Sequence, residues 1–181
     1  MNRFIARLVA NLRKAWHRDD GTATMEFVLV IPAIMMIFMA SFESGLLMTR
    51  SIMLEQSVDM TMRELRLGHY PQITNQLLKD EICARTVIFP DCQNSIKIEM
   101  DRVSTTTWNI PVEPTQCINR RAVAEPVVSM GTIGDNDLMM VRVCVTLDAM
   151  FPSTGIGLQL DLDQDGGYRL VARTAFVAEP T

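Results

Sequence analysis

The 181-residue chain has little of what chemistry usually requires. It holds two histidines, His17 and His69, and only the second lies beyond the basic amino-terminal arm. There is no G-x-S-x-G, no phosphate-cradling glycine loop and no C-x-x-C, and the scattered carboxylates single out no pair. A catalytic constellation needs a positioned base beside a nucleophile, and zinc needs clustered Cys and His. An enzyme, a zinc site and a bound organic cofactor are therefore not expected. Aromatics are scarce at 6%, and the net charge of −4 argues against nucleic acid as a partner. Internal repeats and low-complexity segments are lacking as well.

What is present is a long apolar run. Residues 27–48 are almost continuously apolar, interrupted by Glu43 and by small residues such as Ser41, Ser44 and Gly45. At about 1.5 Å per helical residue the run reaches about 33 Å, enough for a hydrocarbon core of about 30 Å. A membrane-spanning helix over residues 22–48 is expected. Pro32 should bend its axis, and Ser41 with Gly45, four apart, offer a neighbouring helix close approach. Glu43, one turn from the far end, reads as a solvated end.

Ahead of the span, residues 1–21 place Phe4, Leu8, Leu12 and Trp16 every fourth position, with Arg3, Arg7, Arg13, Lys14 and Arg18 between and around them. This is an amphipathic basic leader suited to an anionic inner leaflet, and its charge puts the amino terminus in the cytoplasm. After the span, Ile52, Leu54, Val58, Met62 and Leu65 recur among charged residues, so residues 49–68 continue the helix until Gly68 stops it. The methionines along this rod read as adaptable packing rather than a metal track.

Residues 69–181 form the remaining domain. A shorter helix is expected after Thr74 as N-cap, with Leu77, Leu78 and Ile82 inward. Alternation then predicts three strands: one through Ile96, Ile98 and Met100, one through Met139 to Leu147, and one through Tyr168 to Phe176. A further strand near residues 122–129 would lie in the proline-containing middle. Cys83, Cys92, Cys117 and Cys144 all follow the span and are even in number, so two disulfides are expected, with Cys83–Cys92 and Cys117–Cys144 favoured. Asp161, Asp163 and Asp165, followed by Gly166, repeat the D-x-D-x-D-G start of a calcium loop. The position for the closing glutamate is Ala172, and the alternative is a polar turn into the last strand.

Glu26 is the informative residue, because a carboxylate left ionised at bilayer depth costs roughly 2.5 to 3.5 kcal/mol. The stretch Gly21-Thr-Ala-Thr-Met-Glu-Phe-Val-Leu-Val-Ile-Pro32, with Phe42-Glu43-Ser44-Gly45 beyond it, resembles the amino-terminal signature of the TadE-like pseudopilins. These are minor pilin-like proteins of the tight-adherence (Flp) pilus system. The resemblance covers residues 21–56. It implies an α+β, type IV pilin-like lollipop: a long amino-terminal helix packed on a small antiparallel sheet domain with disulfides. It also implies cutting by a prepilin peptidase after Gly21, with Thr22, Glu26 and Phe27 completing the processing motif. The freed Thr22 amine would then sit one helical turn from Glu26, on its own chain or a packed neighbour. Thr22 stands where many pilins begin with an apolar residue, and Phe27 where the major pilin usually has tyrosine.

The implied partners are the peptidase, other pilins or pseudopilins, and an inner-membrane assembly platform, with the carboxyl-terminal domain in the periplasm. The competing expectation is an uncleaved, single-pass surface binding module that depends on calcium.

Overall fold

A computed structural model describes residues 22–70, 72–110, 114–118, 134, 136–152, 155–163 and 165–179. The leader, Gly21 and the strand expected near residues 122–129 lie outside them.

One helix dominates. Helix α1 runs Thr22–Arg66 with Pro32 inside it. It ends in a Schellman turn, in which the Gly68 amide donates to the Leu65 carbonyl and the His69 amide to the Glu64 carbonyl. Gly68 takes φ 71°, the left-handed conformation that glycine reaches without a Cβ penalty. Helix α2, Asn75–Arg85, starts at Thr74, whose hydroxyl accepts the Leu77 amide. A single-turn helix α3, Cys92–Ser95, then leads directly into the sheet.

Strands β1 (Ile96–Val103), β2 (Leu138–Asp148) and β3 (Gly167–Val177) form an antiparallel sheet in the order β1-β2-β3. The register pairs Ile98 with Val143 and Val143 with Ala172. Side chains therefore alternate, and one face gathers Ile96, Ile98, Met100, Val141, Val143 and Val145. Against that face lie Leu54, Val58, Met62 and Leu65 of α1 and Leu78 and Ile82 of α2. The architecture is a stem helix on a small antiparallel sheet, α+β and lollipop-like.

The opposite face is covered over β1 and β2, while on β3 Arg169, Val171, Arg173, Ala175 and Val177 stay exposed. Arg142, buried at the middle of β2, reaches Asp101 at 2.6 Å and Glu99 at 3.3 Å on β1. Residues 114–118 lie over the same face: Gln116 accepts from Lys97 and its amide donates to Glu99, and Cys117 is bonded to Cys144. Cys83 is bonded to Cys92, tying α2 to α3.

Two side chains depart from the helical pattern read in the sequence. Ile52 is 61% exposed and stands outside the inward row of Leu54, Val58, Met62 and Leu65. Two residues along a helix is a turn of about 200°, so Ile52 must face away from Leu54. Leu77 is only half-buried, leaving Leu78 and Ile82 as the inward pair of α2.

Candidate functional site

The amino half of α1 is bare. Met25, Phe27, Leu29, Met36, Ile37 and Phe38 each expose more than half of their surface, and Glu26 is exposed among them. A helix that is apolar on all sides and packed by nothing cannot rest in water; it needs lipid or other helices. By length and composition it is able to cross a membrane. Pro32 lies on this bare segment. Ser41 donates to the carbonyl of Ile37 in its own helix, and a Cβ at Gly45 would meet only open space. Both positions remain accessible to a neighbour.

The bareness ends abruptly at Glu43, which is 1% exposed. The expectation of a solvated end is corrected here. One carboxylate oxygen accepts from the amides of Met150 at 3.1 Å and Phe151 at 3.1 Å, and the other from Met150 at 3.2 Å. A buried carboxylate without partners would be prohibitive, whereas one that accepts main-chain amides is satisfied. Burial is possible because the chain beyond β2 folds back onto the stem at this level.

Two further turns along, Arg50 is 9% exposed and does the opposite job. It donates to the carbonyl of Asp148 at 3.0 Å and to the Tyr168 hydroxyl at 2.6 Å, with its guanidinium 5.9 Å from the centre of the Tyr168 ring. An acid takes the amides of residues 150 and 151, and a base takes the carbonyl of residue 148. The pair clamps the end of β2 to the stem from both sides of the peptide dipole.

Two glycines shape the segment that the clamp holds. Gly155, at φ 53°, brings the backbone so close that a Cβ would lie 3.0 Å from the Ala40 methyl. A Cβ on Gly157 would fall on the carbonyl of Phe151. Phe151 meets Phe42 edge-on, with ring centroids 6.3 Å apart.

The far end of the stem is braced by charge. Arg85 of α2 bridges Glu64 of α1 at 3.0 Å and Glu81 at 2.6 Å, and Tyr70 donates to Glu64 at 2.7 Å. The Tyr70 hydrogen bond, assisted by Arg85, holds the Glu64 carboxyl below its ordinary value. Burial, with the Glu64 hydrogen bond next, pushes the Tyr70 phenol up to about 12.

The aspartate motif forms a turn. One oxygen of Asp163 accepts the amides of Asp165 at 2.9 Å and Gly167 at 2.7 Å, and Asp161 pairs with Arg169 at 3.0 Å. Among the described residues, no group of three or more His, Cys, Asp or Glu side chains is arranged to hold a metal ion.

A bare apolar helix that becomes one wall of a disulfide-bonded head defines a class: a stem-and-head protein whose amino-terminal helix is long and apolar enough to anchor it. Residues 21–63 match the family model described as TadE-like protein, which agrees with the resemblance carried by Gly21, Glu26, Phe27 and Pro32. The match therefore spans the bare helix, the two charged side chains of the clamp and most of the packed half of the stem, and leaves the head outside it. Neither a curated protein nor a solved structure matches the chain.

Proposed function

We propose that this protein is a pseudopilin or minor pilin-like subunit that supports assembly of a tight-adherence pilus. In this reading a prepilin peptidase cuts after Gly21, the stem sits in the inner membrane with its amino end cytoplasmic, and the head lies in the periplasm. The observation that supports it most is the bare helix with Glu26 exposed near its start, in register with Gly21. An exposed carboxylate on an apolar stem asks for a cation at the same depth, and the amine freed at Thr22 would supply one a helical turn away. Lateral packing of such stems, pilin against pseudopilin, would match each acid with an amine and so set the stagger between subunits.

The test is amino-terminal sequencing of the protein extracted from membranes of cells with active peptidase. Thr22 as first residue is expected, and Gly21→Ala should keep the leader attached. Full-length protein only, in those cells, would overturn the processing step.

A further inference from the structure

The clamp at Glu43 places a part of the head at a definite depth. From Glu26 to Glu43 the helix rises about 26 Å, at about 1.5 Å per residue, against a hydrocarbon core of about 30 Å. With the start of the stem at the inner boundary, Glu43 falls near the outer one. Side chains from Pro32 to Phe38 are exposed, Met39 and Ala40 are half-buried, and Glu43 is the first fully buried residue of the helix. The segment it holds has an apolar outward surface: Met150 is 51% exposed, Pro152 is exposed, and Phe151 lies against Phe42, itself 48% exposed. Through the contact of Phe151 with Phe42 this surface joins that of the bare helix. Glu43 and Arg50 are buried on backbone and tyrosine partners, and Asp148 is exposed at the end of β2.

We infer that Met150, Phe151 and Pro152 form a membrane-contacting collar, inserted at the headgroup and acyl boundary of the outer leaflet beside the stem's exit. The partner surface is lipid. Apolar groups at such a boundary sit about 5 to 10 Å into it, and short insertions of this kind are stabilised by the apolar area they bury. The arrangement also explains why an acid is used here. Glu43 gathers the amides of Met150 and Phe151, which near lipid would otherwise lack water to bond, and in return is shielded from the bilayer. Gly155, pressed on Ala40, keeps the segment flat against the stem, so that the head sits on the membrane and does not swing away from it.

The inference rests on the stem being a membrane anchor, and the experiment separates the two. All four native cysteines are disulfide-bonded, so a single introduced cysteine takes a nitroxide label selectively. Full-length protein bearing Met36→Cys, Met150→Cys or Val87→Cys would be reconstituted into nanodiscs of phosphatidylethanolamine and phosphatidylglycerol. Collision with oxygen is then compared with collision with a water-soluble nickel chelate. Position 36 reports the anchor, and position 87, the 86% exposed control, reports water. An oxygen-to-nickel ratio at position 150 several-fold above that at 87, and below that at 36, is expected. A ratio at 150 equal to that at 87, with 36 in lipid, would overturn the collar and leave the anchor standing. Aqueous behaviour at all three positions would overturn both.

Discussion

The two halves of α1 share one helical geometry and differ in what surrounds them. Before Glu43 the side chains face outward in all directions and are apolar in nearly all of them. After Arg50, Leu54, Val58, Met62 and Leu65 are buried while Glu55, Asp59 and Arg63 stay exposed. A hydrophobic run alone therefore overstates how much of a stem is free: Leu46 and Leu47 still belong to the apolar run, yet both are half-buried and Leu47 packs against the core of the head. The boundary is set by the tertiary contacts of two charged side chains, not by the end of the apolar run.

Removing the clamp should have the largest effect. Glu43→Ala leaves the amides of Met150 and Phe151 buried without an acceptor, at about 1 to 3 kcal/mol for each orphaned donor. Urea unfolding of the detergent-solubilised protein should show a loss of about 2 to 6 kcal/mol, and Glu43→Gln, which keeps one carbonyl oxygen, should lose less. Equal stability of Glu43→Ala and the native protein would mean that the clamp does not hold the head.

The disulfide across the outer face comes next. Cys117 and Cys144 close a separation of 27 residues and Cys83 and Cys92 one of 9. In the chain-entropy account these constrain the unfolded state by about 3.5 and about 2.6 kcal/mol respectively. The paired replacement of Cys117 and Cys144 by serine should therefore lower the unfolding free energy more than that of Cys83 and Cys92, in the same urea titration.

The brace at the far end of the packed half gives a pH signature. The Tyr70 phenol is raised from 10.0 to about 12, so its contribution is fully present below pH 10 and is lost as pH rises through about 12. The Glu64 carboxyl is lowered from 4.5, so its contribution is present above that value and is lost as pH falls through the lowered one. Thermal melting across pH should fall at both extremes. Tyr70→Phe should flatten the alkaline arm and Glu64→Gln the acid arm; an unchanged profile in both variants would remove the brace as its cause.

Much of this architecture is legible in the residues. Period-two alternation at Ile96 to Met100, Met139 to Leu147 and Tyr168 to Phe176 marks the strands, because a half-buried strand must alternate. Thr74 and Gly68 mark helix ends through local hydrogen bonding and φ alone. Near neighbours in sequence suggest the disulfide pairing. The clamp is not legible: Glu43 and its amides are 107 and 108 positions apart, and no local pattern says which backbone will arrive. Arg50 looks like one more polar residue of an amphipathic face for the same reason. The aspartates at 161–165 show the converse limit, since alternating carboxylates suit a cation shell or a self-capping turn equally, and the bonds of Asp163 to the Gly167 amide and of Asp161 to Arg169 do not follow from the pattern.

The smallest effect sharpens the contrast most. Phe38 is 61% exposed on the bare half and is not part of the head's described core. Phe38→Ala should therefore leave unfolding of the head within about 0.5 kcal/mol of the native value, as for substitutions away from packed features. In lipid the same change removes a large apolar side chain, with about 1.5 to 3 kcal/mol of transfer free energy at stake. Weaker retention in membranes on alkaline carbonate extraction, at unchanged head stability, would show that the two halves of one helix answer to two solvents. A loss of head stability matching that of a core truncation would instead mean that the amino half is packed by protein in the native assembly.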